Sequence, residues 1–437
     1  MNAIESKIFI TTEGNLTSAE SSYARGGFSP FDPRDLQTPG LKADLIRWLF
    51  ANPQWWLGIL RDVCPIVRLK GWALITRFDD VQEVLGLDDV FPVPFGKKVE
   101  LLDDGPNFLL GMRESDEYRR IQTDVMRVFA INDIATVVTP EAARLSREIV
   151  ATSGGSLDAV EGLITPVATR ICETYFGVPV PEEIAFGQWT IAMSTFMFGD
   201  PTNNPAYRRC AVAAGERLRA IIDDAIAAER RAPTSRDTAL RRLLAMQADR
   251  PYLTDAIVRS YLIGMITGFV PTNTMAAGHM LQVLLKRKDM FAAARAAALA
   301  NDDDKLRRCL FEAMRFMPLN LGPFRVCARD YTIAAGSRRA TTLKKGDNLL
   351  VSTQSAMFDE RRVDRPWDFD PDRPAFHSML FGYGLHWCTG AFIAAAQITQ
   401  TMKALLIQPN LRAAPGEAGR MQLLGPFPQH LTVEFGS

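Results

Sequence analysis

Cys388 is the residue whose surroundings most clearly indicate chemistry. It lies in the stretch 381–390, between glycines, with an aromatic residue seven positions upstream and a histidine two positions upstream. A helical pattern over residues 391–406 follows it directly. The start of a helix offers free N–H groups and a positive dipole end, which lower a thiol pKa and favour a metal-bound thiolate. We therefore expect Cys388 to ligate haem iron, where thiolate donation favours O–O cleavage. A buried structural cysteine is the alternative.

The ten-residue pattern at 381–390 resembles the haem-binding loop of the cytochrome P450 family, Phe-x-x-Gly-x-His/Arg-x-Cys-x-Gly, at every defining position. The resemblance implies a mainly α fold with small β-sheets (α+β), in which a triangular helical domain carries a long central helix over haem b. It also implies that Cys388 is the axial ligand of the haem iron. The other loop residues with an implied role in binding the cofactor are Phe381, Gly382, His386, as a propionate contact, and Gly390.

Glu312 and Arg315 stand three residues apart and therefore on one face of a predicted helix. They match the family's Glu-x-x-Arg, which the resemblance pairs with an arginine of a later Phe-x-Pro-x-Arg stretch, here Arg373. Such a triad would stiffen the cysteine loop from behind, as support for the iron ligand. The resemblance also implies that Arg325 pairs with a haem propionate, a contact suited to the bidentate geometry of arginine.

Residues 254–286 form a long helical pattern that is apolar around much of its circumference, so this helix should cross the interior. The family's central helix carries Ala/Gly-Gly-x-Asp/Glu-Thr, whose acid and threonine deliver protons during oxygen activation. Thr272 matches the threonine, whereas Phe269 replaces the second glycine and Pro271 replaces the acid. Thr272 is therefore expected to be catalytic, and the acidic relay is missing from its usual place. Pro271 is alternatively a structural kink, with Asn273 or water carrying the relay.

A helix is predicted over residues 114–129. The resembled family places a histidine and an arginine there that hold a haem propionate, and Tyr118 and Gln122 occupy those positions in this chain. Tyr118 can still donate a hydrogen bond to a carboxylate. Arg119 or Arg120 would supply the charge from a neighbouring face, unless both are simply solvated.

Residues 90–112 are predicted to be a long loop, because they contain several prolines and glycines. Long loops in compact domains are usually functional or disordered, and in the resembled family this loop covers the substrate pocket. Ordinary anchoring by aromatic side chains is the alternative. An apolar pocket favours a hydrophobic ligand such as a terpenoid, steroid, fatty acid or aromatic compound. The expected pocket residues are Phe91, Phe95, Phe108, Phe269, Leu321, Phe324 and Phe427.

The composition is that of a globular protein. Of 437 residues, 47% are hydrophobic and 23% charged, and 50 basic residues balance 50 acidic ones. A zero net charge gives no argument for nucleic acid or an anionic membrane as partner. Six cysteines without paired spacing, and no apolar run of ~20 residues, predict a soluble cytoplasmic protein without disulfides or a membrane span. We expect an irregular arm over residues 1–30 and a single haem domain over residues 31–437.

The resemblance implies a monooxygenase that inserts one oxygen atom of O₂ into a hydrophobic small molecule. Its electrons would come from a separate ferredoxin-type or flavoprotein partner, and Arg61, Arg119, Arg120 and Lys345 are candidates for a basic docking face. A solvated surface explains these four residues equally well. The missing acid favours a second hypothesis, a peroxygenase or a hydroperoxide or endoperoxide isomerase or lyase, against which the retained Thr272 argues. A haem sensor or carrier is a third.

Overall fold

The structure is a computed structural model that describes residues 53–200, 204–424 and 426–436. Helices dominate these ranges, and short strands form small sheets beside them. The predicted fold class, mainly α with small β-sheets, is confirmed. The predicted arm at residues 1–30 and the first predicted helix, at 41–51, lie outside the described residues. The assignment of residues 31–437 to one domain stays a prediction.

The helices account for most of the described chain. In chain order the α-helices are α1 Pro53–Val63, α2 Phe78–Gly86, α3 Gly96–Asp103, α4 Asp116–Val128, α5 Thr139–Thr152, α6 Thr165–Ile171, α7 Glu183–Ser194, α8 Pro205–Arg231, α9 Ala239–Met246, α10 Asp255–Lys286, α11 Lys288–Leu299, α12 Asp303–Phe316, α13 Thr353–Ala356 and α14 Ala391–Leu406. Short π-helical segments adjoin some of them, at Ile134–Val138, Val160–Ile164, Cys172–Phe176 and Thr195–Gly199. Single 3₁₀ turns occur at Leu109–Gly111, Ala375–His377 and Gly384–His386.

The strands are short and form four small sheets within the described residues. They are β1 Ile66–Leu69, β2 Trp72–Ile75, β3 Ser156–Asp158, β4 Phe324–Val326, β5 Tyr331–Ile333, β6 Thr341–Leu343, β7 Asn348–Val351, β8 Arg412–Ala413, β9 Gln422–Leu424, β10 Phe427–His430 and β11 Thr432–Glu434. The largest sheet has the order β1-β2-β7-β4, in which only β2 and β7 run parallel. The others are β10-β9, β3-β11-β8 and β5-β6.

Helix α10 is the element around which the helical part is built. It packs against α6, α7, α8, α12 and α14, and its later half meets β10. Its start is capped by the Thr254 side chain, which accepts a hydrogen bond from the Ile257 N–H at 3.4 Å. The helix continues through Pro271, which has no N–H to give to the Thr267 carbonyl. Among the described residues, no helix combines the length and apolar character needed to cross a membrane.

Two hydrophobic cores divide the described chain. The larger one lies among the helices and includes most of the buried face of α10. The smaller one lies between the β1-β2-β7-β4 sheet and α2, and includes Ile75, Val81 and Leu349. Along the chain, the cysteine loop comes after the residues of the smaller core. Helix α14 follows the loop and packs into the larger core.

The segment 90–112 differs from the predicted long loop. It contains α3, which ends at Asp104 in the left-handed conformation (φ 57°), and the short turn Leu109–Gly111. A short helix of this kind is held by tertiary contacts, because so few residues give little intrinsic helical stability. Lys98 supplies one of these contacts, since its ammonium donates to the Phe196 carbonyl at 2.7 Å.

Candidate active site

The cysteine loop is fixed mainly by its own backbone. The Cys388 N–H donates to the Phe381 carbonyl at 3.0 Å, which closes the loop, and the Ala391 N–H donates to the Cys388 carbonyl at 3.3 Å where α14 begins. Gly384 has φ 72°, and a Cβ there would lie 2.5 Å from the Leu85 carbonyl oxygen. Gly382 also has a positive φ, 81°. Only glycine adopts such a conformation at so close an approach without strain.

The Cys388 side chain faces a space inside the protein. The residue is accessible to solvent, yet burial raises the pKa of its thiol, with the Gly390 backbone N–H opposing the rise. A sulfur that opens onto an interior space between packed elements has both properties, access to solvent and a pKa raised by burial. We expected the start of the helix to lower the pKa of Cys388, but the effect of burial is larger. A metal bound at the sulfur would reverse the balance, because a coordinating thiol is deprotonated outright.

Helix α10 has an open stripe along one face. Most of its middle is buried, but Gly268 is exposed and Thr272, one turn later, is half-buried. Nothing lies within 4 Å of a Cβ built on Gly268. Residues four apart share one face of a helix, so this stripe borders space rather than protein. The Thr272 hydroxyl donates to the Gly268 carbonyl, which turns it along the stripe.

A polar cluster lies beside the cysteine loop. His386 is bonded through Nε2 to Asp88 Oδ1 at 3.0 Å, and the other Asp88 oxygen accepts the Glu114 N–H at 2.9 Å. Burial disfavours the charged form of Asp88, but the His386 and Glu114 hydrogen bonds hold its pKa below the usual value. His386 Nδ1 is buried and has no hydrogen-bond partner among the described residues. No local pattern pointed to Asp88, because it lies 298 positions from its histidine.

Arg325 lies in the same cluster as a buried cation. Its Nη1 donates to the Phe324 carbonyl at 2.8 Å, and no described carboxylate lies within ion-pair distance of it. Burial lowers the pKa of Arg325 to about 10, while the charges of Asp88 and Tyr118 oppose the shift. A buried arginine without an ion-pair partner is energetically unfavourable. Arg325 thus offers the positive charge and the N–H donors that a bound carboxylate requires.

Tyr118 takes a different contact from the expected one. Its hydroxyl donates to the Leu385 carbonyl at 2.8 Å, and its ring packs edge-on against His386, with centroids 5.5 Å apart. A phenol has a single O–H, so this bond leaves no donor for a propionate. Gln122 is half-buried, and no hydrogen bond of its side chain is seen among the described residues. Arg119 pairs with Glu114 at 2.6 Å and does not supply the missing charge.

The structure brings Glu312, Arg315 and Arg373 together. Glu312 Oε1 accepts from Arg315 Nη2 at 2.8 Å and from Arg373 Nε at 3.2 Å, and all three side chains are buried. Arg315 also donates to the carbonyls of Met357 and Asp368. Burial lowers the pKa of Arg315, while the hydrogen bond to Glu312 opposes this. The triad therefore joins α12 to the segment that precedes the cysteine loop.

Asn273 points away from the open stripe. Its amide donates to Gln397 Oε1 of α14 at 2.7 Å, and Gln397 Nε2 donates in turn to Thr401 at 2.8 Å. This buried network joins two helices and gives Asn273 no contact that would support the expected relay. Pro271 is buried, and Phe269 packs edge-on against Phe176 with centroids 5.3 Å apart. Phe269 is thus a core contact instead of the expected pocket wall.

The expected pocket residues fall into different parts of the molecule. The prediction that Phe91 lines the pocket is wrong, because its ring packs in the smaller core beside the sheet, with its centroid 5.4 Å from that of Tyr331. Phe95 belongs to the helical core and contacts Phe198 at 5.2 Å. Phe324 is half-buried, with its ring centroid 6.2 Å from that of Trp72. These three aromatic residues have protein neighbours that account for their positions.

Two other expected residues, Phe108 and Phe427, lie close to the open stripe. Phe108 packs on Gly264, one turn before Gly268 on the same face of α10. Phe427 forms a small apolar cluster with Ile191 and Met275, separate from both large cores. Met275 follows Thr272 by three residues, so this cluster continues the stripe. Leu321, which is buried, precedes the strand that carries Arg325.

A missed residue, His279, helps to hold the Phe427 strand. Its Nε2 contacts the Pro426 carbonyl at 3.1 Å, and burial lowers its pKa to about 4, so it is neutral at pH 7. Its neighbour Gly278 allows Pro428 to approach, since a Cβ there would lie 2.8 Å from the proline ring. The later half of α10 is therefore shaped to receive β10. A buried histidine in an apolar pattern gave no signal in the sequence.

The structure removes one residue, Arg61, from the predicted basic docking face. Arg61 is buried and donates to the Ser355 carbonyl at 3.0 Å, and the guanidinium of Arg120 stacks on the Tyr252 ring at 4.4 Å. The surface next to Cys388 is instead aromatic, with Trp387 41% and Phe392 51% exposed. Of the four predicted residues, Arg119, Arg120 and Lys345 are exposed, and Arg119 also forms an ion pair with Glu114.

Comparison with known proteins places the chain in a family. The cytochrome P450 profile matches residues 70–426, so the chain belongs to the cytochrome P450 family. Erythromycin C-12 hydroxylase of Saccharopolyspora erythraea is 26% identical over 350 residues, which cover 78% of this chain and 82% of the relative. Mycinamicin IV hydroxylase/epoxidase of Micromonospora griseorubida is 24% identical and covers 81% of this chain and 88% of the relative.

Solved structures show the same fold. The structure of CYP109E1 from Bacillus megaterium in complex with testosterone matches with a TM-score of 0.75 at 19% identity, over 90% of this chain and 100% of that one. A mutant of P450 EryK in complex with erythromycin B matches with a TM-score of 0.73 at 22% identity, over 92% and 98%.

The protein is therefore a cytochrome P450 monooxygenase that depends on haem b. Its residues fit that cofactor, since Cys388 offers the sulfur, the buried Arg325 offers donors for a propionate, and Gly268 leaves space on α10. When bound, the haem supplies the iron at which dioxygen is reduced and cleaved.

Proposed function

We propose that the protein inserts one oxygen atom of O₂ into an uncharged hydrophobic molecule, with electrons from a separate ferredoxin-type or flavoprotein partner. Each oxidised C–H bond consumes one O₂, two electrons and two protons, and the second oxygen atom leaves as water. The observation that carries the proposal is the open stripe of α10, where Thr272 is a polar side chain beside apolar neighbours. Hydroxylation and epoxidation by the bacterial relatives support this reaction class.

The chain's own residues have separate tasks in this proposal. Cys388 would hold the haem iron through its sulfur, the buried guanidinium of Arg325 would pair with a haem propionate, and His386 would lie beside it. Phe108 and Phe427 exclude water from the side of the substrate. Apolar walls with few charged groups select a ligand by shape and hydrophobicity. The Thr272 hydroxyl holds a proton next to the stripe and exchanges its acceptor when a water enters.

A peroxide-driven reaction is the second candidate, and one specific observation favours it. Residues 264–274 of α10 contain no acidic side chain, and Asn273 is turned into the network with Gln397. An enzyme that uses peroxide or rearranges a lipid hydroperoxide needs no proton delivery from this helix. The retained Thr272 supports the oxygen-dependent reaction, because its hydroxyl is the polar group that the stripe keeps.

The test compares two oxidants on the haem-loaded protein. A ligand is first found by its shift of the haem Soret band, and it is then incubated with a surrogate ferredoxin, its reductase and NADPH, or with hydrogen peroxide alone. We expect oxygenated product from the electron chain. Thr272→Ala should lower product formation on the order of 100-fold, as loss of a positioned proton donor does, whereas Thr272→Ser should retain most of it.

The opposite pattern would overturn the oxygen-dependent reaction. Product from peroxide or a lipid hydroperoxide alone, with none from the electron chain, assigns the chain to the second candidate. Equal activity of Thr272→Ala and the unmodified protein would remove Thr272 from the mechanism.

We also infer that the protein acts in the cytoplasm. No disulfide joins the six cysteines, which all lie within the described residues, and this is typical of a reducing compartment. Fractionation of expressing cells tests this location, and recovery outside the cytoplasmic fraction would contradict it.

A further inference from the structure

A cluster of Asp158, Glu161 and His430 lies where three segments meet, outside the residues assigned above to haem and substrate. Asp158 ends β3, Glu161 lies in the π-helical segment Val160–Ile164, and His430 ends β10. His430 Nδ1 is 2.8 Å from Asp158 Oδ2 and 3.4 Å from Glu161 Oε2. One nitrogen and two carboxylate oxygens therefore converge, with all three atoms within 4.8 Å of one another.

The backbone fixes the Asp158 carboxylate in this position. Its Oδ1 accepts the N–H groups of Val160 at 2.9 Å, Glu161 at 3.1 Å and Leu431 at 3.3 Å. These bonds occupy one oxygen and aim the other at His430. A carboxylate oriented by outer hydrogen bonds is the arrangement that metal sites use, because it reduces the reorganisation needed on binding.

The charge of the cluster is unbalanced. Within the described residues, His430 is the only basic side chain that pairs with Asp158 or Glu161. The nearby arginine of the same region, Arg170, is engaged by Glu183. With a neutral imidazole, the cluster carries two negative charges and lacks a positive group, which a divalent cation would supply.

We propose that Asp158, Glu161 and His430 bind one divalent cation of the zinc class, with water completing the coordination. Zinc takes nitrogen and oxygen ligands at about 2.0–2.2 Å in a tetrahedron, so its ligands lie about 3.4 Å apart. The separation of His430 and Glu161 matches this value, and the His430 and Asp158 atoms need to separate by about half an ångström. The imidazole favours zinc over calcium or magnesium, which prefer oxygen ligands alone. The three side chains are 25–43% exposed, which leaves room for water.

The site has a consequence for the Phe427 strand. His430 and Phe427 belong to the same strand, β10, whose other end meets Ile191 and Met275. The cleft beside the cluster is lined by Glu161, Gln188, Ile191, Pro428 and His430, so it connects the cluster with that apolar group. A cation that joins β10 to β3 and the Val160–Ile164 segment would brace this strand from its far end.

Zinc binding to the haem-loaded, full-length protein tests the proposal without any substrate. Cys64 is an exposed thiol that can bind zinc, so all titrations use a Cys64→Ser background. We expect calorimetry to show one site per chain and zinc to raise the unfolding temperature. His430→Ala and Glu161→Gln should each weaken binding at least ~10-fold and abolish the thermal shift. His377→Ala is the matched control, a histidine outside the cluster, and should bind as the background does.

Several outcomes would overturn the site. One is the absence of saturable 1:1 zinc binding in the background protein. Another is equal affinity in His430→Ala, which would assign the zinc to other groups. Calcium binding as tight as zinc binding would contradict the proposed class of cation. Circular dichroism shows whether the variants are folded. If His430→Ala is unfolded, Glu161→Gln still decides the test.

Discussion

The two sides of the haem site differ in how closely they follow the family. On the thiolate side, the cysteine loop and the Glu312, Arg315 and Arg373 triad occupy the family positions and are interlocked by hydrogen bonds. On the side of α10, Pro271 stands where the family has an acid and Asn273 is bonded elsewhere. The thiolate side is held by contacts within the protein, whereas the α10 side presents the open stripe.

The difference shows which positions are free to vary. A residue of the thiolate side cannot change alone, because its loss leaves a buried partner unpaired, as with the two arginines around Glu312. In the proposed function the stripe of α10 faces the ligand and the oxidant, so we expect its residues to tolerate replacement without loss of the fold. The two sides also differ in the pKa of a buried carboxylate. On the thiolate side the pKa of Asp88 is lowered, whereas on the α10 side burial raises the pKa of Asp103, at the end of α3, to about 7.

The largest expected effect is on the thiolate side. Glu312→Ala leaves Arg315 and Arg373 buried without their common acceptor, which should lower the free energy of unfolding by about 3–5 kcal/mol. Asp304→Ala in the same helix is the control, since its ion pairs with Arg307 and Arg308 are exposed, and it should change stability by less than about 1 kcal/mol. Urea unfolding of the haem-loaded proteins measures both. Equal effects of the two variants would contradict a supporting role for the triad.

The next effect lies on the substrate side and depends on pH. Asp103 is buried, accepts a hydrogen bond from Ser260 of α10 and has its pKa raised from 3.8 to about 7 by burial, with Arg219 and Arg259 opposing. The folded protein therefore keeps a proton between about pH 4 and pH 7 that the unfolded chain releases. Stability falls as pH rises through this window, and the loss is complete above pH 7.

Asp103→Asn should remove this loss. We expect the variant to be more stable than the unmodified protein at pH 8, on the order of 1–3 kcal/mol, with the advantage shrinking towards pH 5. Asp104→Asn is the matched control, because Asp104 is exposed and asparagine tolerates its left-handed backbone. Unfolding at both pH values is the measurement. An advantage that is the same at pH 5 and pH 8 would show that Asp103 does not titrate in this range.

Local signals in the sequence predicted the elements that carry the site. The helix predicted over residues 391–406 has those bounds in the structure, and the helix predicted over residues 254–286 is α10 with Thr254 as its cap, because both depend on neighbours in the chain. Helix α3 was missed, since its glycine and proline neighbours favoured a loop and its contacts come from distant residues. Arg61 is buried by a partner 294 positions away, which no local pattern indicates.

The candidate site divides in the same way. Family spacing predicted that Glu312, Arg315 and Arg373 meet, and they do. Spacing could not show that Phe91 packs into the smaller core or that Asn273 turns towards Gln397, since both depend on how helices and sheet face each other.

Substitution of Tyr118 has the smallest expected effect. It is the sharpest test of the difference between the two sides, because Tyr118 is a position on the thiolate side where this chain differs from the family. The resembled family uses this position to hold a propionate, whereas the Tyr118 hydroxyl donates to the Leu385 carbonyl, next to His386. Burial raises the pKa of Tyr118 to about 12, so it stays a neutral donor throughout the working pH range. Tyr118→Phe should lower the free energy of unfolding by about 1 kcal/mol, the net contribution of one hydrogen bond.

The rate of haem loss separates the two roles that this hydroxyl could have. If it positions the loop, Tyr118→Phe should speed haem transfer to apomyoglobin only a few-fold, together with the loss of stability. If it holds a propionate directly, haem transfer should accelerate far more than stability falls. Tyr383→Phe is the control, a phenol on the exposed face of the same loop that should change neither. An acceleration out of proportion to the loss of stability would show that the thiolate side keeps the family's propionate contact despite the change from histidine to tyrosine.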